Sequence, residues 1–252
     1  MHDVDRKGLE VAQPTDRNGG DVLEILTTVS LADAIYRDLE RMIIDGELKG
    51  GDHINEKSVA ERRGVSRGPV REACRRLEEA GLVEFKVNRG AFVRVVSLED
   101  VLEIYELRAV LFAFAGRILA SSISNDQLSE LQTVQAKMWV AAEDGDTWAF
   151  YDLNRYFHSL TIAYTGNRRL VSVYEGMDKE LHLWRKRVLV ADSNVMGAAA
   201  EHDQIIEVLK NGNATRIAEA LRDHSLAGRN RILRAVRAGH LSPVSRTWEQ
   251  EA

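Results

Sequence analysis

Pro69 and Pro243 bracket a long stretch of chain that contains no proline. Proline inside a helix removes a backbone hydrogen bond and clashes with the preceding turn, so its absence permits long uninterrupted helices. From Ser97 to about Gly239 the apolar residues recur only at helical spacing. The pattern breaks near Ser121 to Asn125, Gly145, Gly166-Asn167, Asp192-Ser193 and Asn211-Gly212-Asn213. Helices joined by turns this short fold back beside one another, so residues 97–240 are expected to form an all-α antiparallel bundle. Residues 241–252 read as a tail. Residues 1–29, polar at first (QPTDRNGGD), read as a mobile extension with one short apolar turn at Val22 to Leu26.

Between extension and bundle the elements are shorter. Ser30 followed by Asp33 resembles a capping box, Leu31, Ile35, Leu39 and Met42/Ile43 keep a helical period, and Gly46 can end a helix over about 31–45. Asn55 can cap a helix over Glu56 to Arg62 that stops at Gly64. Ser66 can cap a third, with Pro69 in its first turn and Gly81 at its end. After Gly81 the period changes to two. In LVEFKV, Val83, Phe85 and Val87 share one face, Asn88-Arg89-Gly90 is a turn, and AFVRV returns as the second strand of a hairpin. Three helices and a hairpin over residues 30–96 make a winged helix-turn-helix, whose second motif helix enters the major groove of DNA. The whole chain is therefore expected to be mainly α, with a short junction at Val96 to Glu99 that restricts how the two domains turn.

A formal net charge of −5 argues against a nucleic-acid partner only until it is divided along the chain. Residues 1–29 carry three basic and six acidic groups, residues 30–97 thirteen and twelve, and residues 98–252 eighteen and twenty-one. Within the middle segment Lys57 to Arg76 holds seven basic residues against Glu61 and Glu72. On the third helix Val70, Ala73, Cys74 and Leu77 form an apolar stripe, while Arg67, Arg71 and Arg75 advance along a neighbouring face. Arginine's planar fork suits a guanine edge or a phosphate. Composition alone leaves open a solvated face paired with Glu72 and Glu78. The single cysteine, Cys74, forbids an internal disulfide and reads as buried core. No apolar run reaches membrane-spanning length, so a cytoplasmic protein is expected.

The sequence from Leu31 to Val93 resembles the DNA-binding domain of the GntR family of bacterial transcription regulators through IIDGELKGGD, GVSRGPVREA, RRLEEAGLV and NRGAFV, in this order and spacing. The resemblance implies that Lys57, Ser66, Arg67, Gly68, Arg71, Arg89 and Gly90 contact double-stranded operator DNA. Two departures are Gly50, where the family usually has proline, and Cys74, where it usually has leucine.

In the bundle, Arg108 falls inside the stripe Val101, Ile104, Leu111 and Ala115. A buried arginine demands a partner, either an acid on another helix or the carboxylate of a ligand. His158, four residues after Asn154, His202 and His224 each lie on or beside an apolar face, where a lone histidine is ordinarily a satisfied core residue. The turn at Asn211 to Asn213 lies nearly midway between His202 and His224, about 15 and 18 Å from each along ideal helices, so an antiparallel pair brings them level. Three imidazoles and an oxygen donor suit zinc or another divalent transition ion.

The motifs YELRAVL, NRYFHSL, TGNRRL, EHDQII and ALRDHSL, over about residues 98–238, resemble the FCD helical ligand-binding domain of the FadR subfamily of GntR regulators. That resemblance implies a metal held by His158, His202 and His224 together with the residue at position 154. The usual acid there is replaced by Asn154, whose neutral carbonyl implies weaker binding or a more positive site. It further implies a homodimeric regulator, repression being the usual sign, that senses a small carboxylate with Arg108 as its clamp. A regulator responding to the metal itself is one alternative. A helical metalloenzyme with a DNA-binding appendage is another, with Asp203 and Asp223 as candidate bases, but no hydrolase or phosphate-loop motif supports catalysis.

Overall fold

A computed structural model of the chain describes residues 19–188 and 195–240, and the side chains of 31–184 and 195–240. The expectations for residues 1–18, for the break at Asp192-Ser193 and for the tail at 241–252 fall outside the described residues.

The first helix, α1, spans Gly19–Ile44 and so begins well before the expected start at 31. Ser30 lies inside it rather than at its start. Residues 21–45 contain neither glycine nor proline, so nothing in the backbone stops a helix nucleated around Ile35 and Leu39 from extending backwards. Helix α2 (Glu56–Arg63) starts at Asn55, whose side chain accepts from the Ser58 amide, and stops at Gly64 in the left-handed conformation. Helix α3 spans Arg67–Glu79; Ser66 occupies its N-cap position with extended backbone but makes no side-chain capping bond.

Strands β2 (Val83–Lys86) and β3 (Gly90–Val93) form the expected antiparallel hairpin. A two-residue strand, β1 (His53–Ile54), adds to the free edge of β3, giving the sheet order β1-β3-β2. Val87 does not share the inward face of Val83; it stands at the wing tip, 87% exposed, because the strand ends at Lys86 and the turn begins one residue earlier than the alternation implies. Ile35, Leu39 and Ile43 of α1 pack on Val70, Cys74 and Leu77 of α3 to make the core of this domain. Burial, and then Glu56, push the Cys74 thiol up to about 12, so it stays protonated as a packing group.

The second domain is wholly helical among the described residues: α4 (Leu98–Ser122), α5 (Asn125–Glu143), α6 (Thr147–Ala163), α7 (Arg168–Val188), α8 (Val195–Asn211) and α9 (Ala214–Arg237). Its starts are local and strong. Ser97 with Asp100, and Ser124 with Gln127, form complete capping boxes, and Asp146 and Asn213 cap α6 and α9. Phe112, Leu119, Leu131, Met138, Phe157 and Ile205 fill the centre.

Helices α4 and α9 are in tight contact at Gly116, where an added Cβ would lie 3.0 Å from the backbone of Ile217 and Ala218. Backbone cannot swing aside as a side chain can. Gly116→Val is therefore expected to cost about 1–3 kcal/mol of stability, read as a lowered midpoint in denaturant unfolding; an unchanged midpoint would show that the two helices can separate freely.

Helix α7 also touches the first domain. Lys179 Nζ lies 2.7 Å from Glu40 of α1, and Glu180 pairs with Arg94 just beyond β3. Gly81, at φ +73°, brings the turn after α3 so close to Glu180 that a Cβ there would meet its side chain at 2.8 Å.

Candidate nucleic-acid interface and histidine chamber

Six of the seven cations of Lys57 to Arg76 separate into two groups in the fold, while the exposed Arg62 donates to the Ser58 carbonyl of its own helix. Arg63 pairs with Asp38, and Arg76 pairs with Asp33 and stacks over Tyr36 at 4.9 Å, so both fasten the helices to α1. Arg71 and Arg75 are exposed and have no ion pair among the described residues, and the expected alternative partners Glu72 and Glu78 do not reach them. Arg67 is exposed with only a 3.6 Å contact to Glu56, and Lys57 a 3.9 Å contact to Glu61. At the wing, Arg89 and Lys86 flank the Phe92 ring, and Gly90 approaches His53 so closely that a Cβ would lie 3.1 Å from its Nε2. Ser66 and Gly68 are exposed at the N-terminal end of α3. Exposed cations thus lie on α2, the outer face of α3 and the hairpin tip, the three places a winged helix offers to a duplex.

In the bundle the three histidines meet. His158 from α6, His202 from α8 and His224 from α9 are all buried, with ring centroids 4.3–5.2 Å apart. Each offers a donor atom, and these atoms lie within 4.8 Å of one another. Hydrogen bonds set the tautomers. His202 Nδ1–H donates to the Ala198 carbonyl at 2.8 Å, and His224 Nδ1–H to the Glu201 carboxylate at 2.7 Å. A carbonyl and a carboxylate only accept, so both rings present an Nε2 lone pair to the space between them. His224 Nε2 is 3.1 Å from His158 Nε2, while His202 Nε2 is buried with no hydrogen-bond partner among the described residues. Burial holds His202 well below the usual imidazole range, and burial also lowers His224 although Glu201 opposes it, so both are neutral near neutral pH. Neutral imidazoles around an unsatisfied buried nitrogen are a donor set that fits a divalent transition ion.

Asn154 lines the adjoining chamber together with Arg108, His158, His224 and Arg231; His202 is not among the lining residues. The chamber is small, about 40 Å³, room for a few water-sized bodies. Arg108 is 5% exposed and answers its demand for a partner internally: Nη1 donates to Asp178 at 3.3 Å and Nη2 to the Tyr174 hydroxyl at 3.2 Å, both on α7. Its Nε finds no partner among the described residues. Arg155 holds the other Asp178 oxygen at 2.9 Å. Asp178 is followed directly by Lys179 and Glu180, which grip the first domain. The acids considered as bases do not line the chamber: Asp203 accepts from Gln135 and Trp139, and Asp223 pairs with Arg222 on the surface.

Sequence reasoning missed Asp178, Tyr174, Glu201 and Arg231. Glu201 had a visible signal, since it directly precedes His202 in EHDQII. It binds both His224 and Arg231, each at 2.7 Å, and these bonds hold its carboxyl below the usual range against the burial that raises it.

A winged helix with free arginines, joined to a helical chamber, defines a DNA-binding transcription regulator. Residues 31–93 match the gntR family of bacterial regulatory proteins and residues 103–227 match the FCD domain. The HTH-type transcriptional regulator YdhC of Bacillus subtilis (strain 168) is 31% identical over 76% of this chain and 84% of its own length. A Paenarthrobacter nicotinovorans protein named "Probable D-xylose utilization operon transcriptional repressor" is 27% identical over 80% of this chain and 88% of its own. The structure of E. coli McbR/YncC shares the fold, with a TM-score of 0.68 and 22% identity over 82% of this chain and 99% of that one. The chain belongs to the GntR family, as a member with an FCD domain, and its relatives are regulators rather than enzymes. No helix among the described residues is long and apolar enough to cross a membrane.

Proposed function

We propose that the chain is a homodimeric repressor that releases operator DNA when a small carboxylate binds beside a divalent metal ion in the histidine chamber. The observation that carries this reading is Arg108. It lines the chamber and has an unpartnered Nε, yet its counter-ion, Asp178, sits on the same turn of α7 as Lys179 and Glu180, which hold the winged helix. An organic acid needs more room than 40 Å³ and competes with Asp178 for the guanidinium. Binding therefore favours a bundle in which α7 has shifted, and with it the grip on the DNA-reading head. This is the differential affinity that a conformational response requires.

His158, His202, His224 and Asn154 would hold the ion, which when bound supplies a positive charge to a carboxylate. Leu107, Val110 and Phe114 support the dimer: they are 58%, 67% and 45% exposed and share one face of α4, a stripe suited to a second copy. The repressor named among the relatives supports the sign of regulation.

The test follows release of a duplex selected from a random pool, by fluorescence anisotropy, with zinc alone, with a panel of organic and sugar acids alone, and with both. Release is expected only when an acid is present, and Arg108→Ala should keep DNA binding while losing that response. The small chamber volume favours a second reading, in which the metal itself is the signal. Release by zinc alone would establish that reading and sink the carboxylate.

A further inference from the structure

A second cavity lies at the seam between the two domains, apart from the histidine chamber. It measures about 440 Å³, within the range of small-molecule sites, and such sites occur preferentially where domains meet. One wall comes from the end of α1 and the turn after it, with Ile43, Leu48 and Lys49. A second comes from the segment after β3, with Arg94 and Val96. The third is α7, with Leu183 and Trp184. No feature of the operator-binding surface or of the metal chamber accounts for it.

The lining states what chemistry fits. Ile43, Leu48, Val96, Leu183 and Trp184 make most of the surface apolar. Trp184 is 7% exposed and gives the wall its largest apolar side chain. The charges in the lining are not balanced equally. Asp45 is held by Arg41 at 3.2 Å, and Arg94 by Glu180 and Asp100, but Lys49 has no ion pair among the described residues. The unmatched charge is positive.

We propose that this seam is a second ligand site, for a small amphipathic anion with an aromatic or branched aliphatic body. Its body lies against Trp184, Leu183 and Leu48, and its anionic group pairs with Lys49. Because the walls belong to both domains, such a ligand fixes the angle between head and bundle. It thereby changes operator affinity without touching the histidines.

The probe is 1-anilinonaphthalene-8-sulfonate, titrated by fluorescence into the full chain in EDTA so that the metal chamber plays no part. The expected result is one saturable site per chain, an affinity at least tenfold lower in Lys49→Glu and several-fold lower in Trp184→Phe, and no change in His158→Ala. Saturating probe should also shift operator affinity at least threefold. Lys49 is exposed, so Lys49→Glu keeps the test decisive even if Trp184→Phe fails to fold. Absence of a saturable site, binding unchanged in Lys49→Glu, binding abolished by Val110→Glu on the exposed face of α4, or unchanged operator affinity would each overturn the proposal.

Discussion

Arg71→Ala is expected to weaken specific operator binding by about 1–3 kcal/mol per half-site, a loss of roughly 5- to 150-fold, while leaving thermal unfolding unchanged. The side chain is exposed on α3 and makes no ion pair among the described residues, so its removal disturbs nothing inside the fold. Surface residues without partners typically change stability by less than about 0.5 kcal/mol. In a dimer that grips two half-sites the binding loss doubles on the free-energy scale. Salt dependence then assigns the contact: loss of a phosphate contact lowers the salt slope by about one and weakens all sequences alike, whereas loss of a base contact flattens sequence preference. Operator affinity that survives the substitution would remove α3 as the reading helix. Arg76→Ala is the contrast on the same helix, because its contacts to Asp33 and Tyr36 predict lost stability with sequence preference intact.

That contrast shows what a charge count along the chain can and cannot reveal. The cluster from Lys57 to Arg76 is visible in sequence, but its division into residues paired to α1 and residues left exposed depends on which helix face meets α1. Local features were legible because their causes are local. Asn55 opens a helix where capping chemistry places it, and the breaks expected near Ser121 to Asn125 and at Asn211 to Asn213 fall where Ser124 and Asn213 cap the next helices. Ser30 with Asp33 carries much the same pattern but lies inside α1 rather than at its start, since nothing in the backbone of residues 21–29 stops the helix. Strand β1 has only His53 and Ile54, too short for any period, and exists through its pairing with β3.

The site follows the same rule at longer range. His202 and His224 could be brought level because one short turn joins their helices and the rise per residue is fixed. The burial of Arg108 could be read from its stripe, and with it the need for a partner. The partner's identity could not, since Asp178 stands 70 positions away on α7 and only the packing of α4 against α7 brings it near. Of the two alternatives, an internal ion pair and a ligand clamp, the internal pair is present, and it leaves Nε without a partner among the described residues.

Zinc added to metal-free chain is expected to raise its stability by about 2.7 kcal/mol when free zinc is 100 times its dissociation constant, and His202→Ala should abolish that gain. A histidine serving only as core filler would satisfy both ring nitrogens or leave one in solvent. His202 does neither: Nδ1 is committed to the Ala198 carbonyl, and Nε2 is buried, unbonded and turned toward two other imidazoles. Leaving such a nitrogen without a partner costs about 1–3 kcal/mol, a cost that a bound ion removes. Two further substitutions separate coordination from packing. Glu201→Ala removes the carboxylate that fixes the tautomer of His224, and should weaken zinc affinity about 10- to 100-fold with the three ligands still in place. Asn154→Asp exchanges a neutral carbonyl for a carboxylate beside His158 and should tighten it. Calorimetric titration and thermal shift read both. No zinc-dependent shift in the unmodified chain, or a shift that persists in His202→Ala, would return the three histidines to the core.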